Sequence, residues 1–123
     1  MSYENAIRMS HHVAAGDLTA AAAVDVPNLV GPPGLTGRVV AIAALLTTGV
    51  TVAASKIQVG SAADPDGYAY LDVPIQAVDT AVTGQVIDGA LGNRIPADTE
   101  FEIGNAGGST AGVAAYTVFI DWS

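Results

Sequence analysis

The stretch that most constrains the fold is residues 112–122, GVAAYTVFIDW, close to the C-terminus. It is rich in β-branched and aromatic residues, which favour the pleated surface of a strand. Tyr116, Val118 and Ile120 alternate onto one face, whereas Phe119 falls on the other. Both faces therefore carry large apolar side chains. We expect this closing strand to lie in the middle of a sheet and Phe119 to meet a partner.

Residues 38–46 form a second strand candidate, which is apolar on both sides. Strand alternation divides them into one set with Val40, Ile42, Ala44 and Leu46 and a second set with Val39, Ala41, Ala43 and Leu45. A helix is the alternative, but the flanking Gly37 and Gly49 and the β-branched start favour a strand. Because a strand with one wet face would alternate with polar residues, we expect the second set to be covered by the other sheet or by another subunit.

Turn signals separate several further strand candidates. These strands are predicted at 20–26, 51–59, 68–75, 85–87 and 99–103, and the breakers between them are Gly31-Pro32-Pro33-Gly34, Asp64-Pro65-Asp66-Gly67, Asp88-Gly89 and Gly92-Asn93. Phe101 and Ile103 should face inward, with Glu100 and Glu102 outward. In 68–75 the alternation places Tyr68 and Tyr70 on the outer face. Short strands at this spacing predict an all-β sandwich or barrel, and of the two we expect an antiparallel β-sandwich.

The first 19 residues differ from the rest, with weak apolar periodicity and no turn chemistry. We interpret 1–19 as an N-terminal arm, with a helical turn near Glu4 to Met9, and 20–123 as the β-sandwich domain. Adjacent histidines point in different directions, so His11 and His12 cannot form an i, i+4 metal pair. They are either simple arm residues or a pH-sensitive contact in an interface.

Charge and composition argue against several classes of binding partner and against a targeting or membrane-spanning segment. The formal net charge is −8, and the four basic residues are scattered, which disfavours nucleic acid and anionic membranes. There is no cysteine, no secretory signal is visible, and the longest apolar stretch is too short to span a bilayer as a helix. Hydrophobic residues make up 50% but aromatic residues only 6% of the chain, so small apolar side chains dominate. Such surfaces suit close subunit contacts.

Candidate chemistry is sparse. The turn at 64–67 offers two carboxylates but lacks the fuller ligand pattern of a Ca²⁺ loop. Glu100 and Glu102 are more simply exposed charges than an acid/base pair, and serine catalysis would need a base that only the arm histidines could supply. We expect no enzymatic activity, no cofactor and no metal.

Four segments resemble small β-sandwich proteins that decorate the heads of tailed bacteriophages. They are Gly37-Arg38-Val39-Val40-Ala41-Ile42, Ala54-Ser55-Lys56-Ile57-Gln58-Val59-Gly60, residues 95–103 (IPADTEFEI), and the Gly-rich turn leading into Tyr116-Thr117-Val118-Phe119-Ile120. The resemblance covers roughly residues 37–122 and is one of strand order and turn residues. It implies a jelly-roll-like sandwich without catalytic residues.

The resemblance also implies a homotrimer that binds the major capsid protein on the outer capsid surface of a virion and stabilises the shell, with the arm as a contact element. The candidate interface residues are Arg8, His11, His12, Val39, Ala41, Ala43, Leu45, Tyr68, Tyr70 and Phe119. Two alternatives stay open. One is a glycan- or cell-surface-binding module that uses Tyr68 and Tyr70, and the other is a tail or baseplate component.

Overall fold

The computed structural model describes residues 7–19, 23–82, 84–107 and 109–123. Over these ranges the chain forms nine strands: β1 Ile7–Asp17, β2 Ala23–Leu29, β3 Gly37–Thr51, β4 Ser55–Gly60, β5 Ala69–Val73, β6 Ala81–Val82, β7 Ile87–Asp88, β8 Phe101–Asn105 and β9 Ala111–Trp122. Within the same ranges, no helix has the length and apolar character needed to cross a membrane.

The strands build two antiparallel sheets that pack face to face. Sheet 1 has the order β1-β9-β3-β6, and sheet 2 has the order β2-β8-β4-β5-β7. The chain passes repeatedly from one sheet to the other. Its first and last described strands, β1 and β9, are neighbours in sheet 1. This is the double-sheet arrangement of a jelly roll, with β7 as an added edge strand. The predicted antiparallel sandwich is confirmed.

The closing strand β9 lies in the middle of sheet 1, between β1 and β3, as predicted. Its inward residues Tyr116, Val118, Ile120 and Trp122 are each at most 1% exposed. Trp122 packs against Gly31 and Gly37. A larger residue at either position would collide with the indole ring, because a Cβ atom would come within 2.4 Å of it at Gly31 and within 2.6 Å at Gly37. Strand β9 is therefore a central strand of sheet 1, and its inner face is fully buried.

The predicted N-terminal arm is wrong for residues 7–17, which form strand β1. Ile7 pairs with Trp122 and Asp17 with Val113, along almost the whole length of β9. The strand is stable because its inner face contributes Val13 to the apolar core, and because the next residue, Leu18, is fully buried. A helical turn near Glu4 to Met9 is also wrong where it overlaps β1, and its first three residues lie outside the described ranges.

Strand β3 corrects one of the predicted face assignments. A β-bulge between Val39 and Ala41 interrupts the pairing with β9, and a bulge places two successive residues on the same side of a strand. Val39 therefore points into the core at 2% exposure, whereas Val40 points outward at 37%. The expected outer position of Val39 is wrong, and Ala41, Ala43 and Leu45 keep theirs.

The connections between strands collect at two ends of the sandwich. Strands β1, β3, β5 and β8 finish at one end, with Asp17, Thr51, Val73 and Asn105 as their last residues. The β2–β3, β4–β5 and β7–β8 connections meet at the other end. Trp122 also lies at that second end, paired with Ile7 and Gly37.

A candidate interaction surface

The outer face of sheet 1 carries mostly small and apolar side chains. Phe119 on β9 lies between Ser10 on β1 and Ala41 on β3, and the neighbouring row joins His12, Thr117 and Ala43. Leu45, opposite Ala115, is 45% exposed on the same face. No element of the described chain packs over these rows. We call this surface, with Val40, Ala41, Ala43, Leu45 and Phe119 at its centre, the outer face.

Charged groups border the outer face at the end where β3 begins. Asp121 accepts hydrogen bonds from Arg8 Nε at 2.7 Å and Arg8 Nη2 at 3.0 Å. The ion pair raises the pKa of Arg8 and lowers that of Asp121, because each charge stabilises the other. Arg38 lies across β9 from Arg8 and pairs in register with Asp121. The sequence pattern does not single out Asp121, since its partner Arg8 is 113 positions away.

The two predicted histidines separate across sheet 1, as adjacent strand residues must. His12 is exposed on the outer face, where its Nδ1 lies 2.9 Å from Thr117 Oγ1. His11 is half-buried between the sheets, with its ring edge-on to Phe101 at a centroid distance of 6.3 Å. Burial lowers the pKa of His11, because the charged imidazolium loses hydration there. Only His12 belongs to the outer face.

Tyr68 and Tyr70 do not form a paired outward platform. β5 begins only at Ala69, so strand alternation does not extend to Tyr68, which is 5% exposed and packs in the core. The predicted outward position of Tyr68 is therefore wrong. Tyr70 lies on the outer side of sheet 2, half-buried, with Lys56 Nζ 4.5 Å from the centre of its ring. One face of this ring is thus already occupied by a cation.

The predicted interface residues fall into two groups. Arg8, His12, Ala41, Ala43, Leu45 and Phe119 come together on the outer face, whereas His11, Val39, Tyr68 and Tyr70 lie in the core or on sheet 2. The first group was expected from three separate sequence features: the apolar residues 38–46, the N-terminal segment and the closing strand. Strand β9 places them side by side.

A cleft of about 510 Å³ opens beside β3, where the short β6 leaves part of the strand edge unpaired. Its walls include Arg38, Ile42 and Gln85. At one end of the cleft the Asn93 side chain takes the place of a neighbouring strand: its Oδ1 accepts from Val39 N at 2.8 Å, and its Nδ2 donates to Val39 O at 2.7 Å. In the sequence, Gly92-Asn93 indicates only a turn.

Two carboxylates away from the outer face are held by partners within the chain. Asp66 forms an ion pair with Lys56 at 3.2 Å, and Asp25 accepts a hydrogen bond from the buried Tyr116 hydroxyl. Burial and the Asp25 carboxylate both raise the pKa of Tyr116. The described residues contain no group of three or more His, Cys, Asp or Glu side chains arranged to hold a metal ion.

Comparison of the chain with protein-family models, with curated proteins and with solved structures found no match. A functional proposal therefore rests on the fold and on its surfaces. The surface that the sequence features and the structure both single out is the outer face of sheet 1.

Proposed function

We propose that this protein is a structural virion protein, a trimeric decoration protein that binds the major capsid protein on the outer surface of a phage capsid and stabilises the shell. The observation that carries the proposal is the outer face, on which β3 exposes Val40, Ala41, Ala43 and Leu45. Small apolar side chains let two backbones approach closely, and an exposed apolar sheet face is a site of protein association. The trimer and the capsid follow from the resemblance of residues 37–122 to head decoration proteins.

The acidic composition agrees with this role. With a net charge of −8, the surface that is not buried by association stays well hydrated and repels other copies of the same chain. Association must then depend on apolar burial, which contributes about 25 cal/mol per Å² before the entropic costs of association. The role needs no catalytic group and no cofactor.

Sedimentation of the purified chain at micromolar concentration tests the oligomer. We expect a trimer, and Ala43→Glu should convert it to monomers, because it places a charge in the centre of the outer face. Ala62→Glu is the matched control, since Ala62 is an exposed alanine on the β4–β5 connection. A wild-type chain that sediments as a monomer would contradict the trimer.

Capsid attachment is tested with capsids purified from a mutant of the encoding phage that lacks this protein. We expect the wild-type trimer to bind them and to raise their resistance to heat. A glycan array is the matching test of the sugar-binding alternative, which the burial of Tyr68 and the Lys56 cation over Tyr70 weaken. Specific glycan binding without capsid binding would favour a glycan-binding module over a decoration protein.

A further inference from the structure

Strand β3 has a gap in its hydrogen bonding on the edge that faces away from β9. In an antiparallel sheet, the residues whose backbone groups point to one edge recur at every second position. Leu46 N donates to Thr80 O at 3.0 Å on this edge, and Ala44 pairs there with Val82. Ile42 lies two positions before Ala44, so its backbone N–H and C=O point to the same edge.

On the other side of the gap, β3 is hydrogen-bonded by a loop and by a side chain. Gly37 N donates to Ile95 O at 2.9 Å, and Ile95 N donates back to Gly37 O at 2.8 Å. Val39 exchanges two hydrogen bonds with the Asn93 carboxamide. The β-bulge that follows shifts the alternation by one residue. The next residue directed to this edge is therefore Ile42.

The backbone N–H and C=O of Ile42 open into the cleft of about 510 Å³. The opposite wall includes Gly84 and Gln85, and no described backbone group hydrogen-bonds to Ile42 from that wall. A donor and an acceptor side by side on a strand edge are the pattern that an added extended chain satisfies. Asn93 shows the same chemistry at Val39, where an amide group occupies the place of a neighbouring strand.

The gap has room for a short extended segment only. It lies between Val39 and Ala44, and five steps of about 3.3 Å span roughly 16 Å. Asn93 closes one end and Val82 closes the other. A strand that ran past both would collide with them, so about three residues of an occupant can lie along β3. The cleft volume of about 510 Å³ falls within the usual range of ligand sites.

Arg38 provides a cation on the wall of the cleft. Arg8 and Lys56 each form an ion pair within the chain, whereas the guanidinium of Arg38 has no hydrogen-bond or ion-pair partner among the described residues. Asp88 also lines the cleft but forms no ion pair with Arg38. Arginine binds carboxylates through two parallel hydrogen bonds. A ligand with a carboxylate close to its last amide group therefore matches this wall.

We propose that the cleft binds the C-terminal end of an extended peptide. One main-chain amide of the peptide exchanges hydrogen bonds with Ile42, antiparallel to β3 as β6 is, and Arg38 binds the terminal carboxylate. Strand addition and capture of a terminal carboxylate are both recurring modes of peptide recognition. The site requires neither the trimer nor the capsid, so it goes beyond the decoration function and is tested separately.

The probes are N-acetyl-trialanine, which ends in a carboxylate, and its C-terminal amide, which does not. Binding is followed by NMR, in which the amide resonance of Ile42 reports on the gap itself. Arg38→Gln is the test variant. Arg94→Gln is the matched control, because it removes an exposed arginine that does not line the cleft. Trp122 fluorescence and sedimentation verify that each variant keeps its fold and its oligomer.

We expect N-acetyl-trialanine to shift the Ile42 resonance, to slow the exchange of its amide hydrogen and to bind the wild type about tenfold more tightly than the capped peptide. Arg38→Gln should remove this difference between the two peptides, and Arg94→Gln should keep it. No response at Ile42, or an equal loss in the control, would overturn the site. An Ile42 amide that is protected without peptide in the wild type and exchanges freely in Ala43→Glu monomers would also overturn it, and would assign the gap to a strand of the neighbouring copy.

Discussion

At Val52 the chain keeps a residue that its backbone conformation disfavours. Replacing Val52 by glycine removes the Cβ that conflicts with a φ of +73°, which costs an L-residue about 1–2 kcal/mol. Glycine loses more backbone entropy on folding, by about 0.5–1 kcal/mol. We expect Val52→Gly to stabilise the fold by about 0.5 kcal/mol and to raise Tm, as measured by thermal unfolding followed through Trp122 fluorescence. A lower Tm would show that the side chain makes a stabilising contact.

His11 should make stability depend on pH. Burial lowers its pKa in the folded chain below the ordinary 6.5, so the unfolded chain takes up a proton first as the pH falls. The contribution of neutral His11 to the free energy of unfolding is complete above the ordinary pKa of 6.5. It is lost as the pH falls from there towards the lowered pKa of the folded chain. We expect Tm of the wild type to fall more between pH 7.5 and 5 than that of His11→Phe. Parallel curves for the two proteins would argue against this role.

At single positions the sequence predicts side-chain direction where a strand is regular. Phe101 and Ile103 face inward, as do Tyr116, Val118 and Ile120. The prediction fails at Val39, because a bulge reverses the alternation between Val39 and Ile42, and no residue type marks that bulge. It fails at Tyr68 because the strand starts one residue later than the pattern indicates.

At the level of the strands, part of the edge of β3 is hydrogen-bonded by a side chain and not by a neighbouring strand. Asn93 exchanges two hydrogen bonds with Val39, in the manner of a neighbouring strand. Asn93→Ala leaves both backbone groups of Val39 without that partner, and we expect it to cost about 1–3 kcal/mol of unfolding free energy. Chemical denaturation measures this value. Gln85→Ala, in the same cleft, is the control and should change stability by much less; equal effects would contradict the specific role of Asn93.

The apolar strands could be predicted from the sequence, but β1 could not. The residues Ile7, Met9 and Val13 alternate with Arg8, Ser10 and His12, which is a strand pattern. Its inner positions are only partly apolar and include His11, so the periodicity is weak. What makes β1 a strand is the long edge offered by β9, more than 90 positions later in the chain. Such long-range pairing leaves little local signal.

For the molecule as a whole, the position of β1 predicts the effect of truncation. Deleting residues 1–17 would turn β9 from a central into an edge strand and would remove Val13 from the core. We expect the truncated chain to lose its fixed tertiary structure, seen as a loss of the near-UV circular dichroism of Trp122. Arg8→Ala, which removes only the exposed ion pair with Asp121, should keep that signal. A folded truncated chain would restore the view of this segment as a dispensable arm.

The candidate surfaces could be predicted only in part from the sequence. The apolar second set of residues 38–46 indicates an outer face, because local alternation reveals it. The exposed Val52 and Ile75 lie on two separate connections, and the sequence does not show that the second of these connections runs beside the end of β3. Arg8 and Asp121 also meet through strand register alone.

The pairing of Ile7 with Trp122 has a practical consequence for engineering. Ser123 follows directly after β9, at the end of the sandwich opposite Val52. A polypeptide attached at Ser123 would leave the molecule away from the exposed apolar side chains of Val52, Ile75 and Val78. Cargo attached there should therefore leave those side chains uncovered.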